Sequence, residues 1–584
     1  MRRALGVIAL LAAIWTLVVW LSGGVALSLG GLRISSSDAT RPLIVAVVLA
    51  TAYLATSGLA RTREDAARLR QALTPTRLAV ALAIAVLIVG IANDSWGAGG
   101  SDSYSYVSQM DLWLAGNLKV PVTMAAQVPW PDALATFTPF GYSAVADEPA
   151  ITPITGAGLP LLMAAFKILG GHAAAFLVVP ITGALLVWTT FLIGRRVGSD
   201  LIGISAAFLV ATSPTFLMMF KSQMSDVPAA AFWALAAFGM LGTSPGSAAL
   251  AGLAASIAIL IRPNLAPVAA VMAVWTMFGS AHLKGARRAV LFTLAALPGA
   301  IAVASINTSL FGSPFSSGYG NLTSLFSLDK VPSTLASYAR WLIETQTPLV
   351  FAGVFVFRIA PLLGLMLVTV WALYAPYPSF DAWWFLRFLL PAWPAMFIGT
   401  SAAIAWLFDR QPRWGRAATV AAILALGAYG LTVTAQRHVF TGDEGERRYA
   451  TIAQLVASNT APDAMIMASI HAGSLRYYGG RATLRFDILN DVWLDRAASW
   501  LDAHGHHPYL LIEDWEMPAF RKRFAEKNRL GELRLAPALA YEAYRIPGTV
   551  YLFDLLRGDR ATVEPPPIRD PRPRCPLPAH PPQL

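Results

Sequence analysis

The chain has 584 residues, of which 56% are apolar and 13% charged, and its mean hydropathy is +0.55. That charged share is about half that of an ordinary soluble domain, and the apolar residues fall in long runs. This excludes a disordered chain, a disulfide scaffold and a DNA-binding module, and points to a polytopic membrane protein. The net charge of +11 (44 basic, 33 acidic) does not call for nucleic acid as a partner. The basic residues cluster in short loops instead: Arg61, Arg63, Arg68, Arg70 and Arg77, then Arg195 and Arg196, then Lys284, Arg287 and Arg288. Such clustering is the bias of cytoplasmic loops.

Apolar stretches of spanning length, about 20 residues, lie near 5–30, 42–59, 78–93, 173–194, 202–220, 227–242, 247–261, 265–280, 289–310, 388–407 and 417–435. The first is too long for a signal peptide and reads as a retained helix. The basic loops place the N-terminus and 60–77 inside and 94–155 outside. The segment 156–169 is too short to span, and reads as a helix at the outer interface. The stretch 348–376 lies between one crossing and two. Two passes, turning at Arg358–Pro361, keep Asp409, Arg410, Arg413 and Arg416 inside, for about thirteen spans in all.

The outer segment 94–155 carries Asp94, Asp102, Asp111, Asp132, Asp147 and Glu148, with Lys119 its only basic residue. Its aromatics, among them Trp96, Tyr104, Tyr106, Trp113, Trp130 and Tyr142, argue for an ordered functional loop or a cap packed on the helices. Beyond about Gln436, helical periodicity alternates with strand-length runs over 437–557, which reads as a small α/β domain. The division expected is therefore 1–77, an extra helix pair with its cytoplasmic loop; 78–435, the membrane module with the large outer loop 94–172; 436–557, the soluble domain; and 558–584, a proline-rich tail that will not pack. The single cysteine, Cys575, lies in that tail, so one chain forms no disulfide.

No nucleotide-binding or zinc-protease signature stands out. The acids collect in the outer loops rather than at mid-membrane depth, which weakens a transporter reading. The sharpest local pattern is 99–116, where Asp102 follows a glycine-rich turn and Tyr106, Met110 and Trp113 recur at helical spacing. That spacing turns an aromatic face to the bilayer. Asp102 then stands near a helix start, where a carboxylate serves equally as a cap or as a base.

These residues resemble those of GT-C-type glycosyltransferases, the polytopic class that includes protein O-mannosyltransferases and lipid A aminoarabinose transferases. Asp102, Tyr106 and Gly116 match that class's outer-loop acid, tyrosine and glycine. Ile154–Pro160, Asp226 in Ser-Asp-Val-Pro, Arg262 in Ile-Arg-Pro-Asn, and Arg387 before Phe-Leu-Leu-Pro match later positions. The match runs over roughly 78–435. It departs where two extra helices come first, where 348–376 is shortened, and at Ser103, where an acid often stands. The resemblance implies transfer of a sugar from a polyprenyl-phosphate carrier to a lipid, glycan or protein acceptor, at the outer face of a bacterial inner or plasma membrane.

In that chemistry Asp102 is the base and Asp226 positions acceptor or base. Arg262 and Arg387 stabilise the leaving phosphate with forked donors, although a snorkelling role for Arg262 stays open. Tyr104, Tyr106, Asp147 and Glu148 are the candidate substrate contacts. His471 is a weaker candidate, and the cluster His504, His506, His507 reads as a turn. No cofactor is called for; a divalent metal is compatible with the chemistry, but no ligand spacing indicates one. The rival readings are a non-enzymatic lipid or polysaccharide transporter and a ligase that moves a whole glycan from a diphosphate carrier.

Overall fold

The structure is a computed structural model that describes residues 2–557, apart from 23–24, 30–31, 37, 279–281, 321–324, 412, 442 and 544–545, together with 567–569. It is mostly helical. Seven described helices are long and apolar enough to cross a membrane: Thr40–Gly58, Pro75–Ala92, Gly158–Ala175, Val178–Val197, Gly285–Phe311, Trp383–Phe408 and Gly415–Gln436. Five shorter apolar helices, including Asp226–Met240, Pro245–Ile261 and Pro361–Tyr374, pack among them. Side chains such as Leu169, Leu250 and Phe278 stand 84%, 67% and 76% exposed on the bundle exterior. This is the surface that a lipid solvent would cover. The chain is a multi-pass membrane protein.

Several expected spans are cut by their own sequence. The first helix ends at Ser22, and Val25–Leu29 pairs antiparallel with Leu32–Ser36, so the run to Gly30 is not one helix. The helix Asp200–Ala211 stops ahead of Ser213-Pro214, and a short helix, Pro214–Met219, follows. The residue before a proline is pushed out of the helical region, which explains the break. The segment expected as an interfacial helix over 156–169 runs on in one apolar helix, Gly158–Ala175, which is long enough to cross but is broken at Gly170 and at Gly171 (φ 75°), just past that expected end.

The stretch 348–376 is bent by 106° from the helix before it and folds back on itself at Ala360, as the two-pass reading expects of its shape. It descends as a 3₁₀ segment, Pro348–Phe355, continuing through Val356–Ile359. Phe355 meets Trp406 near the far end of the helix Trp393–Phe408, with ring centroids 5.8 Å apart. It returns as Pro361–Tyr374, after which Pro376 and Tyr377 accept hydrogen bonds from Ser327 (2.9 Å) and Thr334 (3.2 Å), beside the helix Val331–Gln346 that precedes the descent.

The C-terminal part is a small α/β domain. Its six-stranded sheet runs in the order Ile568–Arg569, Leu539–Glu542, Thr549–Asp554, Pro508–Glu513, Met465–Met467, Ala482–Leu484. Helices Asp443–Asn459, Ala472–Gly479, Leu494–Ala503 and Met517–Phe524 pack on it. Most of the proline-rich tail lies outside the described residues; Ile568 and Arg569 pair in parallel with Tyr541 and Glu542 at the sheet edge and remain exposed.

Among the described residues, two apolar cores hold the molecule together. One runs from the bundle through Tyr104 and Tyr106 into Ala450, Tyr477 and Tyr478 of the C-terminal part. The other joins outer-loop residues Leu112, Trp130 and Phe137 to Leu501, Leu510 and Phe520. The aromatic outer loop is thus packed chiefly on the α/β domain. Trp130 meets Trp500 edge-on at 5.6 Å and Trp493 at 6.5 Å.

Candidate active site

Four of the expected residues come together at one end of the bundle. Asp102 is the first residue of the helix Asp102–Ala115, and Asp226 is the first of Asp226–Met240. The cap positions belong to Ser101 and Ser225, neither of which caps through its side chain. Neither acid is therefore explained as a helix cap.

Arg262 ends the helix Pro245–Ile261 because Pro263 follows; its backbone leaves the helical region at φ −138°, ψ 89°. Its Nη2 donates to Asp226 Oδ1 at 2.7 Å, its Nε to Ser225 Oγ at 3.0 Å and its Nη1 to Tyr374 OH at 3.1 Å. The close approach that fixes it comes from Gly158, where a Cβ would stand 2.4 Å from Ile261 N.

Arg387 lies on the 3₁₀ segment Trp383–Ala392 and reaches Asp102 Oδ2 at 3.4 Å, while its buried Nε has no partner. The two guanidiniums sit over the same ring, Phe388, at 5.3 and 5.1 Å from its centre. Tyr374 stacks on that ring at 5.0 Å, and Tyr377 meets it edge-on at 5.1 Å. The Tyr106 hydroxyl donates to Ser225 Oγ at 2.7 Å, which ties the Asp102 helix to the Arg262–Asp226 pair. The cluster therefore offers one partly open carboxylate, with the Asp102 side chain 32% exposed, beside two cations. Asp226 is 0% exposed and salt-bridged, so its geometry suits orienting Arg262 rather than touching a substrate.

A second set of contacts staples the loops that carry the acids. Gln223 Nε2 donates to both Asp94 carboxylate oxygens at 3.2 Å, and Ser95 N–H donates to the Lys221 carbonyl at 3.2 Å. Burial pushes the Asp94 carboxyl up to about 8, against the Trp96 N–H and Gln223 bonds that lower it.

Three expected substrate contacts stand elsewhere. Tyr104 is buried in packing, stacked on Tyr142 at 5.5 Å and pressed against Gly473 of the α/β domain. Glu148 pairs with Lys119 at 2.5 Å on the surface, and its neighbour Asp147 sits in a turn at φ 58°. The helix 102–115 does not lie with an aromatic face on the bilayer either. Residues 103–112 are all buried, because the bundle covers one side and the α/β domain the other.

His471 is 1% exposed and bonded to Glu513 at 2.9 Å, a place in the core of the α/β domain. His504 stacks on Trp500 at 3.8 Å, while His507 binds Asp554 at 2.7 Å. Among the described residues no three His, Cys, Asp or Glu side chains converge as metal ligands do. A cavity of about 550 Å³ opens between outer loop and α/β domain, lined by Asp132, Thr138, Ser143 and Arg485, and does not include the cluster. Sequence reasoning missed Ser225, Tyr374, Tyr377 and Phe388. The Phe-Leu-Leu-Pro run held a signal for the last, since 3₁₀ spacing of three stacks Phe385 and Phe388 on one face.

No protein-family model matches the chain, and no curated protein matches its sequence. Solved structures match it in fold. ArnT from Cupriavidus metallidurans in the apo state superposes with a TM-score of 0.50 at 14% identity, over 81% of this chain and 97% of that one. The fold is of the GT-C type. ArnT bound to undecaprenyl phosphate gives 0.49 at 14% identity, over 84% and 98%. AglB from Archaeoglobus fulgidus, solved with an inhibitory peptide and a dolichol-phosphate, gives 0.46 at 11%, over 82% and 74%. On this GT-C fold the Asp102–Arg387 and Asp226–Arg262 pairs occupy one end of the bundle, beside the α/β domain.

Proposed function

We propose that the chain is a membrane glycosyltransferase that moves a sugar from a polyprenyl-phosphate carrier to an acceptor outside the cytoplasm. The observation that carries this reading is the partly open Asp102 carboxylate within 3.4 Å of a guanidinium that has an unused buried donor. The acceptor hydroxyl attacks the anomeric carbon and passes its proton to Asp102, while the carbon–oxygen bond to the phosphate breaks. The leaving group is a phosphate monoester with a second pKa of about 6, so it needs charge stabilisation more than a strong acid.

Arg387 is the better placed of the two arginines for that task. All three nitrogens of Arg262 already donate to Ser225, Tyr374 and Asp226, whereas Arg387 holds one long contact and a free Nε. Arg262 then supplies the second positive charge, held in place by Asp226. Both cations sit over the one Phe388 ring, which brings them to the same side of the site as Asp102. The active end and the α/β domain stand outside a bacterial inner or plasma membrane, a placement that the clustering of basic residues in the opposite loops supports. Asp147 and Glu148 lie apart from this cluster, Glu148 paired with Lys119, and are given no role in the transfer step.

Mass spectrometry of envelope glycans from cells with and without the protein tests the reading. One sugar increment is expected to vanish with the protein. Unchanged glycans, together with no release of polyprenyl phosphate by the purified chain, overturn it.

A further inference from the structure

We infer that Glu446, on the α/β domain, is a positioning residue that holds the Asp102 turn in its working geometry. This rests on the reading of Asp102 as base. Glu446 lies on the helix Asp443–Asn459, and its Oε2 accepts from the Gly99 N–H at 3.0 Å and from Ser103 Oγ at 2.5 Å. Those two donors bracket Asp102, so one carboxylate oxygen fixes both ends of the turn that aims it.

The same helix grips the turn at further points. Arg447 donates to the Asp94 and Ser95 carbonyls at 3.2 Å each. The Tyr449 ring lies so close to Gly99 that a Cβ there would stand 2.1 Å from it. From the next helix, the Tyr478 hydroxyl accepts from the Ala98 N–H at 2.9 Å. The turn is thus seated on the α/β domain along most of its length, and Glu446 is the contact nearest the acid.

A carboxylate suits this post. Hydrogen bonds to an ionised acceptor are roughly twice as strong as neutral ones, and a turn that is half glycine has little stiffness of its own. Burial pushes the Glu446 carboxyl above its ordinary value, while the Ser103 and Gly99 bonds oppose that rise.

Activity of the purified full chain from a polyprenyl-phosphate sugar donor, with kcat and donor KM separated, tests the inference. Glu446→Ala is expected to lower kcat by about 10- to 100-fold, the scale of a misplacement near 1 Å. Donor KM should stay within about twofold, because Arg262 and Arg387 are untouched by the change. Glu446→Gln keeps an acceptor oxygen and should recover activity to within about threefold of wild type, by the same geometric argument. Ser103→Ala should lose less, because the Gly99 N–H still reaches Glu446, and adding it to Glu446→Ala should cost less than the two single losses summed, since only the Ser103 bond to the Gly99 carbonyl (2.9 Å) remains to be lost. If Glu446→Ala fails to fold, Ser103→Ala reads the same contact and must still lower kcat. A Glu446→Ala enzyme with wild-type kcat, a Gln variant as impaired as Ala, or a loss confined to KM overturns the inference. Asp102→Asn separates the two levels. A fully active Asp102→Asn enzyme removes the base reading, whereas an inactive one beside a fully active Glu446→Ala removes only the role of Glu446.

Discussion

Asp102 and Asp226 each open a helix and each face an arginine, yet they differ in access. Asp102 has a third of its side chain exposed and a single ion pair at 3.4 Å, while Asp226 is closed off with Arg262 at 2.7 Å. Replacing each by asparagine should therefore give opposite signatures. Asp102→Asn gives up one long contact, so folding should survive and kcat should fall by about 10²–10⁴; melting and rate measured on the same preparation check this. Asp226→Asn leaves a buried guanidinium without its counter-charge. A lowered melting temperature and a weakened donor KM are expected before any pure kcat effect. At Arg387, lysine keeps the charge and loses the fork. Arg387→Lys should retain partial activity and Arg387→Ala should lose most of it, both measured against wild type in a donor titration. If both match wild type, the phosphate contact lies elsewhere.

At the scale of elements, the helix Asp102–Ala115 is where three bodies meet. Its Asp111 accepts from Lys167 at 2.5 Å and from the Tyr477 hydroxyl at 2.6 Å, joining the helix Gly158–Ala175 to the α/β domain. Asp111→Asn should cost about 1–3 kcal/mol of stability, as expected for a buried bonded group deprived of its charge. A melting shift with kcat per folded molecule preserved would identify it as a structural joint. This element also shows how far the sequence could be read. The acid after a glycine turn and the helical spacing of Tyr106 and Met110 were legible; Gly116, noted only as a family match, proves to be the left-handed residue at φ 75° that ends the helix. The face to which Tyr106 and Met110 belong was not legible. Helical periodicity tells which residues share a side, but a protein core and a lipid phase select the same side chains. Glu446 was illegible for another reason: its bond to Ser103 spans 343 positions, and no local pattern carries a partner that distant. The cuts at Gly170 and Ser213, by contrast, were written in Gly-Gly and Ser-Pro, and a search for apolar runs alone passes over them.

For the whole molecule, the end of the 348–376 detour hydrogen-bonds back to Ser327 and Thr334, ahead of its start, which supports the proposal that it makes two passes. A reporter active only outside the cytoplasm, fused after Asp554, is accordingly expected to be active, and one active only inside should be silent. The α/β domain should also respond to pH through Glu516. Burial lifts that carboxyl to about 7, with the Glu513 charge adding to the rise and the Glu513 N–H bond opposing it. A folded-state value above the unfolded one favours the protonated form. Its stabilising contribution is therefore complete below about pH 4.5 and fades as pH climbs through 7. Between pH 5 and 8 the wild-type domain should lose more thermal stability than Glu516→Gln, which carries no titrating group; equal losses would discount the effect.

The seating of the Asp102 turn on the last quarter of the chain sets a schedule for its birth. At about 5–20 residues per second, a ribosome needs from roughly 20 seconds to about a minute to travel from Ser103 to Glu446. Through that interval the bundle is threading into the bilayer with its acid-bearing turn unclasped. On the proposed function, a chain that has passed Arg387 but not yet Glu446 would carry both phosphate-binding arginines without a base in register. Sugar would then leave the carrier only once translation has passed the point where the enzyme is whole, so fragments in the membrane would not squander donor on water.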